Sequence, residues 1–470
     1  MAAEVAGSAR LPLTLAEARG IQLAAQGLFD APPRSPGLRE LSALLDRLGV
    51  LQVDTINVAR RSQYLVAWSR LGAYDDALLD ELLYPHRATF EYWSHAASIV
   101  PMSDYLYYRR EMLDYAKHLY DSDHDWMRQN PHILEQTLDA IRTRGPLSSA
   151  DFERPNDGRR TEAWDWFGLK ESRRALHVLW TAGELMVHSR RGGQKVYDLR
   201  EQVLAEAYSG AVPSDEDLPS PEEQLDHFAR RTIRALGVVT PTWLWDYFRL
   251  GDFDHLADNG KRPSRKVASQ RVLEALVREG AVVPATIGGV DEPAYIAVER
   301  LADLERLRAG ESSRRTTLLS PFDNLIWHRP RTRTLFNYEV CFEAYVLPAK
   351  RRYGYYCLAI LHQGRLVGRL DPKMDRETKQ LCARAVYLEP GVKADAALVR
   401  GIAESLRDLA RFLGAESIAV ERSEPEGLAA RLRDRVQGPL PQARKRAASA
   451  SIGGGQPRRM SSVNSISSVT

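Results

Sequence analysis

"ESRRALHVLWTAGELMVHSRRGGQKVYDL", residues 171–199, changes its period partway along. Up to Gly183 the apolar residues recur at helical spacing. Beyond it they alternate, and Arg191-Gly192-Gly193 breaks the alternation as a two-strand turn would. The stretch predicts a helix that stops at a glycine and feeds a β-hairpin. Upstream, "ILEQTLDAIRTRG" (133–145) has helical spacing and stops at Gly145, and "PLSSADFE" (146–153) offers Ser148 or Ser149 as the cap of a short second helix. Helix, helix, helix, hairpin is the order of a winged helix.

The same order returns downstream. "DHFARRTIRALG" (226–237) is followed by "VVTPTWLWDYF" (238–248), where Thr240 and Pro241 supply a cap and a first helical turn. "SRKVASQRVLEALVREG" (264–280) is the third helix and "AVVPATIGGVDEPAYIA" (281–297) the hairpin. The N-terminal segment reads as an altered third copy: "GLRELSALLDRLG" (37–49) is its first helix and "FEYWSHAASIVP" (90–101) its hairpin.

From residue 314 onward, aromatic and β-branched runs such as "TTLLSPFDNLIW" and "LFNYEVCFEAYVLP" are broken by Gly, Pro and Asp, and one long amphipathic helix follows. The expected fold is mixed α and β: three tandem winged-helix (helix-turn-helix) units over 12–130, 131–205 and 221–300, then a β-barrel-like C-terminal domain over 314–425, a barrel or a curled sheet closed by the helix. Residues 441–470 hold seven serines, five basic residues and no acid, the composition of a disordered tail.

At 470 residues the chain is too long for one core, and 44% apolar with 27% charged residues fits an ordinary soluble protein. No apolar stretch approaches the roughly 20 residues of a membrane span, and the N-terminus lacks the pattern of a secretory signal, so a cytoplasmic protein without a membrane partner is expected. Cys341, Cys357 and Cys382 match no zinc spacing and read as reduced thiols; no metal and no cofactor is expected. The net charge of +3 does not itself announce a nucleic-acid partner. A basic pair by itself is more often a solvated face, and its recurrence within the repeated units is what points to phosphate: Arg173, Arg174, Arg190, Arg191, Arg265 and Lys266 are expected to contact phosphates without reading bases. Arg60-Arg61, Arg159-Arg160 and Lys261-Arg262 are further clusters of this kind.

"LGVLQVDTINVARRSQYL" (48–65) is where the first copy departs from the others. A helix cap needs one short polar side chain, yet Gln52 and Asp54 stand two apart around Val53. In an extended turn both would point one way, with Val53 turned inward. An amide beside a carboxylate can hold a water, and the carboxylate can face a developing sugar cation, the two services that cleavage of an N-glycosidic bond needs. The residues alone leave a plainer reading open, with Asp54 as an N-cap and Gln52 as an exposed helix-end residue.

Residues 51–105, "LQVDTINVARRSQYLVAWSRLGAYDDALLDELLYPHRATFEYWSHAASIVPMSDY", and residues 318–376, from "LLSPFDNLIWHRPR" to "GRLVGRLDPKMDR", resemble the winged-helix DNA glycosylases that unhook interstrand cross-links. These are the YcaQ or AlkX type, related to the glycosylase AlkZ. The likeness covers roughly residues 12–425. It implies three winged helices and a β-barrel around a DNA channel, with the signature glutamine, apolar residue, aspartate or glutamine carried by Gln52-Val53-Asp54. Asp54 would be the electrostatic stabiliser and base, and Gln52 the residue that positions water. The resemblance further implies DNA contacts at Arg60, Arg61, Gln63, Tyr64 and His95, a buried structural role being the alternative for His95. Ser62-Gln63-Tyr64 departs from the family, where many members have two histidines.

The implied activity is a monofunctional DNA glycosylase that hydrolyses the N-glycosidic bond of N7-alkylated purines and unhooks interstrand cross-links. Its partner would be double-stranded DNA carrying alkylated or cross-linked purines, and the enzyme a monomer working at a bacterial nucleoid. A different class, a non-catalytic winged-helix regulator, would instead bind one operator sequence and release nothing.

Overall fold

The structure is a computed structural model that describes residues 10–118, 121–152, 171–249 and 264–440. Arg159-Arg160, Lys261-Arg262 and the tail 441–470 lie outside the described residues.

The first and third of three stretches share one order of elements, and the second follows it as far as it is described, residues 153–170 between its short strand and its last helix lying outside the described residues. In the first, Leu41, Leu44, Leu45 and Leu48 form the buried stripe of the helix Leu38–Leu48, one face of a 3.6-residue period. Gly49 ends it at φ +71°, and an added Cβ would stand 2.9 Å from the Phe248 ring. A two-residue strand, Leu51–Gln52, follows, then the helices Ser62–Leu71 and Ala77–Leu83 and the hairpin Thr89–Trp93/Ala97–Pro101. The second stretch runs from the helix Pro131–Arg144 through Leu147–Ser148 to the helix Glu171–Thr181 and the hairpin Leu185–Arg191/Gln194–Leu199. The third runs from Pro221–Leu236 through Val238–Val239 and the helices Pro241–Phe248 and Arg265–Arg278 to the hairpin Val282–Ile287/Ala294–Ala297. In each, the two-residue strand pairs antiparallel with one hairpin strand.

Thr240 caps its helix as expected, accepting the Trp243 N–H at 3.3 Å. The short helix expected after a cap at Ser148 or Ser149 falls largely outside the described residues; Ser148 ends the strand Leu147–Ser148, and its N–H and hydroxyl both reach Asp151 at 2.7 Å.

The N-terminus joins the third stretch: Leu11–Leu13 adds a parallel edge strand beside Val282–Ile287. The helix Leu15–Ala25 behind it packs Gly20 against Leu307 and Ile21 against Gly237.

The C-terminal part corrects the barrel expectation. Thr316–Leu319, Leu358–His362, Arg365–Asp375, Gln380–Leu388 and Ser417–Glu424 form an open five-stranded sheet in that order, and its first and last strands are edges. The last strand runs parallel to its neighbour. A parallel pair needs a crossover, here the helix Ala396–Leu413, whose buried face (Val399, Ile402, Leu406, Leu409) joins the core that Leu358, Ile360 and Val386 build from the sheet. The helix covers the sheet, which therefore need not curl to bury its apolar face.

The small sheet Leu51–Gln52/Ala97–Pro101/Thr89–Trp93 lies between two cores. Phe90, Tyr92 and Val100 enter one with Tyr108, Trp180 and Tyr247. Leu51 and Ile99 enter the other with Trp68, Leu358 and Leu406. Strand alternation sends these residues to opposite faces. The strand that carries Gln52 is thereby held from both sides.

Candidate active site

Gln52 pairs across the ladder with Ser98, and the Val53 N–H continues the pairing to the Ala97 carbonyl at 2.8 Å. Val53 packs against the second core, the inward turn expected of it. Pairing then ends. Residues 53–61 form neither helix nor strand before the helix Ser62–Leu71 begins. Asp54 is half-buried, and its Oδ1 accepts the Ile56 N–H at 2.6 Å, a local turn of the kind aspartate favours. It caps no helix. Burial pushes its carboxyl above the ordinary aspartate value, opposed in part by the Ile56 hydrogen bond. Among the described residues, the Gln52 amide and the second Asp54 oxygen make no hydrogen bond, so both remain available to a water or a substrate.

What holds this segment comes from far along the chain. Asn324, fully buried, donates from Nδ2 to the Val50 carbonyl and to the Tyr247 hydroxyl, both at 2.8 Å, and the Tyr247 hydroxyl donates to the Leu48 carbonyl at 2.9 Å. Asp323, beside it, takes a buried fork from Arg70 on the Ser62–Leu71 helix, with Nη2 to Oδ1 at 2.8 Å. The Ser320 hydroxyl lies 2.8 Å from that of Ser62 and 2.9 Å from that of Tyr356. Thus Ser320, Asp323 and Asn324 tie the chain to the strand before Gln52 and to the helix after Asp54. The only signal for them in the sequence is three polar side chains inside the apolar run "LLSPFDNLIW", and nothing there names their partners.

The residues expected at DNA divide. Tyr64 is buried and donates to Asp80 at 2.7 Å; Gln63 is buried beside it. Both turn inward because they begin a helix whose every residue is buried. Arg60 lies over the Tyr64 ring at 4.1 Å and pairs with Asp76 at 2.6 Å. Arg61 lies against Gly193 in the turn of the second hairpin.

His95, in the turn of the first hairpin, is buried too. Its Nδ1 is 3.0 Å from the Asp246 carbonyl and its ring stacks on Trp327, centroids 4.0 Å apart. Burial depresses it to about 4, so it is neutral at physiological pH.

Arg190 is held inside by Glu91, and Lys195 lies 3.2 Å from the Trp180 ring centre, where burial lowers its ammonium to about 8. Arg174 sits over Trp126 at 5.0 Å. Arg173, Arg191, Arg265 and Lys266 are exposed. Arg191 pairs with Asp151 at 3.1 Å, Lys266 with Glu292 at 2.8 Å, and Arg265 lies over Trp245 at 4.0 Å.

The described cysteines are unpaired. Among the described residues no three His, Cys, Asp or Glu side chains are grouped to hold a metal, and no helix is long and apolar enough to cross a membrane.

The model of the DNA glycosylase AlkZ-like family matches residues 45–412, which include Gln52, Asp54 and their supports at Ser320, Asp323 and Asn324. Among solved structures, the DNA glycosylase AlkZ of Streptomyces sahachiroi is similar with a TM-score of 0.54. The likeness covers 88% of this chain and 100% of that one, at 16% sequence identity. At that identity it speaks to the fold.

Proposed function

The chain belongs to the AlkZ-like DNA glycosylases and is an N-glycosidic hydrolase acting on DNA, and from that premise we propose that it releases N7-alkylated purines and unhooks interstrand cross-links. The observation that carries this reading is the Gln52 amide and the second oxygen of the half-buried Asp54 carboxylate, both without a hydrogen bond among the described residues, at the end of a strand fixed from both sides.

A purine alkylated at N7 is already cationic, so its departure needs no strong general acid. The demands are charge stabilisation at the sugar and delivery of water. Asp54 supplies the negative charge opposite the oxocarbenium-like sugar and accepts the proton of the attacking water. Gln52 orients that water through its amide. No metal or organic cofactor enters the scheme.

We read the three repeated stretches as tandem winged-helix units over 12–130, 131–205 and 221–300, and residues 314–425 as a module that backs the first. A purine tethered to the opposite strand is awkward to flip into a closed pocket, and an open surface built from several units accommodates it. The enzyme is taken to act as a monomer on double-stranded DNA at the bacterial nucleoid, with Arg173, Arg191, Arg265 and Lys266 meeting phosphates.

The test uses a duplex with one N7-alkylguanine and a second with one N7-linked interstrand cross-link. Free base and heat-labile abasic sites are followed in single turnover. Release by the wild type from both, and its loss in Asp54→Asn, is expected. Tight binding to one undamaged sequence with no release would replace this reading by the regulator.

A further inference from the structure

The loop that carries Asp54 is held in shape by the C-terminal sheet. At its far end, the Ser62 hydroxyl is tied through Ser320 to Tyr356, all buried. Midway, the Met374 N–H donates to the Val58 carbonyl at 3.0 Å. Beside it, Arg376 Nη2 reaches Asn57 Oδ1 at 3.0 Å, the Asn57 carbonyl at 3.4 Å and the Ala59 carbonyl at 3.1 Å. Arg376 is 319 positions from Asn57 and 317 from Ala59, and Ser320 is 258 from Ser62. Asn57, Val58 and Ala59 belong to the unpaired segment between the Gln52 strand and the next helix, and Ser62 begins that helix.

We propose that Arg376 is a positioning residue for the glycosylase reaction: it fixes the turn at Asn57–Ala59 and through it the place of the Asp54 carboxylate. This rests on the reading of Asp54 as the reacting carboxylate. Arg376 is itself exposed, and the three hydrogen bonds of its Nη2 go to neutral oxygens of the loop. Nothing in the apolar core leans on it. The buried Tyr356–Ser320–Ser62 tie, by contrast, cannot be cut without harm to the packing of both parts.

A loop without secondary structure has no ladder of its own to resist displacement, and a shift of about 1 Å at a reacting group costs on the order of 100-fold in rate. The same feature gives the C-terminal sheet a part in catalysis without any contact to the substrate.

The experiment is a double-variant cycle on the full chain. Single-turnover excision, DNA affinity and melting temperature are measured for Arg376→Ala, Asn57→Ala, the pair together, and Arg376→Lys. Excision by Arg376→Ala is expected to fall roughly 10- to 100-fold, with affinity within about threefold and an unchanged melting temperature. The pair should lose no more than the worse single variant, because both cut one tie, and Arg376→Lys should recover part of the rate. Additive losses, or a loss that is all in affinity with a steeper need for low salt, would overturn the proposal and make Arg376 a phosphate contact.

Asp54→Asn in the same assay separates the two readings. If it excises normally, the assignment of Asp54 has failed. If it is inactive while Arg376→Ala excises like the wild type, only the positioning role has failed.

Discussion

Arg190 and Glu91 are joined as a fork between two neighbouring sheets: Nε donates to Oε1 at 2.7 Å and Nη2 to Oε2 at 2.5 Å, while Nη1 donates to the Gly193 carbonyl at 2.6 Å. Glu91 is 4% exposed at its side chain and Arg190 16%. Burial alone would raise the Glu91 carboxyl, but the Arg190 hydrogen bond and charge hold it below its ordinary value. Removing Arg190 leaves the buried Glu91 with only the Tyr84 hydroxyl and the Lys195 charge, so Arg190→Ala is expected to destabilise the fold by up to about 3 kcal/mol. Calorimetric or denaturant unfolding checks this.

Arg173 should behave in the opposite way. It is exposed on the first turn of the Glu171–Thr181 helix, and its replacement by Ala removes a surface charge. Melting should not change. Affinity for damaged and undamaged duplexes should fall together, and the slope of log affinity against log salt should flatten by about one ion. A loss confined to one sequence would mean that Arg173 reads bases.

Asp54 sets a pH dependence. Its carboxyl stands above the ordinary value because burial disfavours the charge, and the reaction uses the ionised form. The excision rate should therefore fall as pH drops through that raised value, with its acid limb above the range near 3.9 of a free aspartate. A limb at or below 3.9 in single-turnover rates would sink the assignment.

The same burial predicts a trade between activity and stability. Asp54→Asn keeps an oxygen for the Ile56 N–H and removes a charge that folding disfavours. Excision should drop roughly 10²- to 10⁴-fold, with a melting temperature equal to or above the wild type. Gln52→Ala, which loses an orienting amide and no charge, should cost less. A clear fall in melting temperature for Asp54→Asn would show that the carboxylate serves the fold.

Much of this was legible in the residues, and the exceptions have physical reasons. The helix ending at Gly49, the hairpin around Gly192-Gly193 and the repeated order all follow from period and turn chemistry, which are local. The open sheet was not legible, because strands signal their length and faces but not whether edges meet; the parallel last strand decided that. Gln52 and Asp54 stood out as polar residues in an apolar setting. Tyr64 and Gln63 read in the sequence as DNA contacts and His95 as either a DNA contact or a buried residue, and tertiary packing buries all three. Asn324 and Arg376 act on partners some 274 and 319 positions away, a relation no local pattern carries.

Two buried histidines give the last prediction, on stability. His95, stacked on Trp327, and His328, which begins the turn into the helix Arg329–Phe336, are each depressed to about 4, first by burial. Unfolded, each takes a proton near 6.5. Between these values the unfolded chain binds more protons than the folded one, so stability falls as pH drops from 6.5 toward 4 and is fully present above 6.5. At pH 5 the loss is at most about 2 kcal/mol per histidine. Melting of the wild type at pH 7.5 and at pH 5 should differ by several degrees more than that of a His95→Gln/His328→Gln variant, whatever the variant's own stability at pH 7.5. The comparison cancels the carboxylates that lie away from these two rings. Equal pH slopes for the two would mean that water reaches these rings in the folded state and that the Trp327 stack does not keep them neutral.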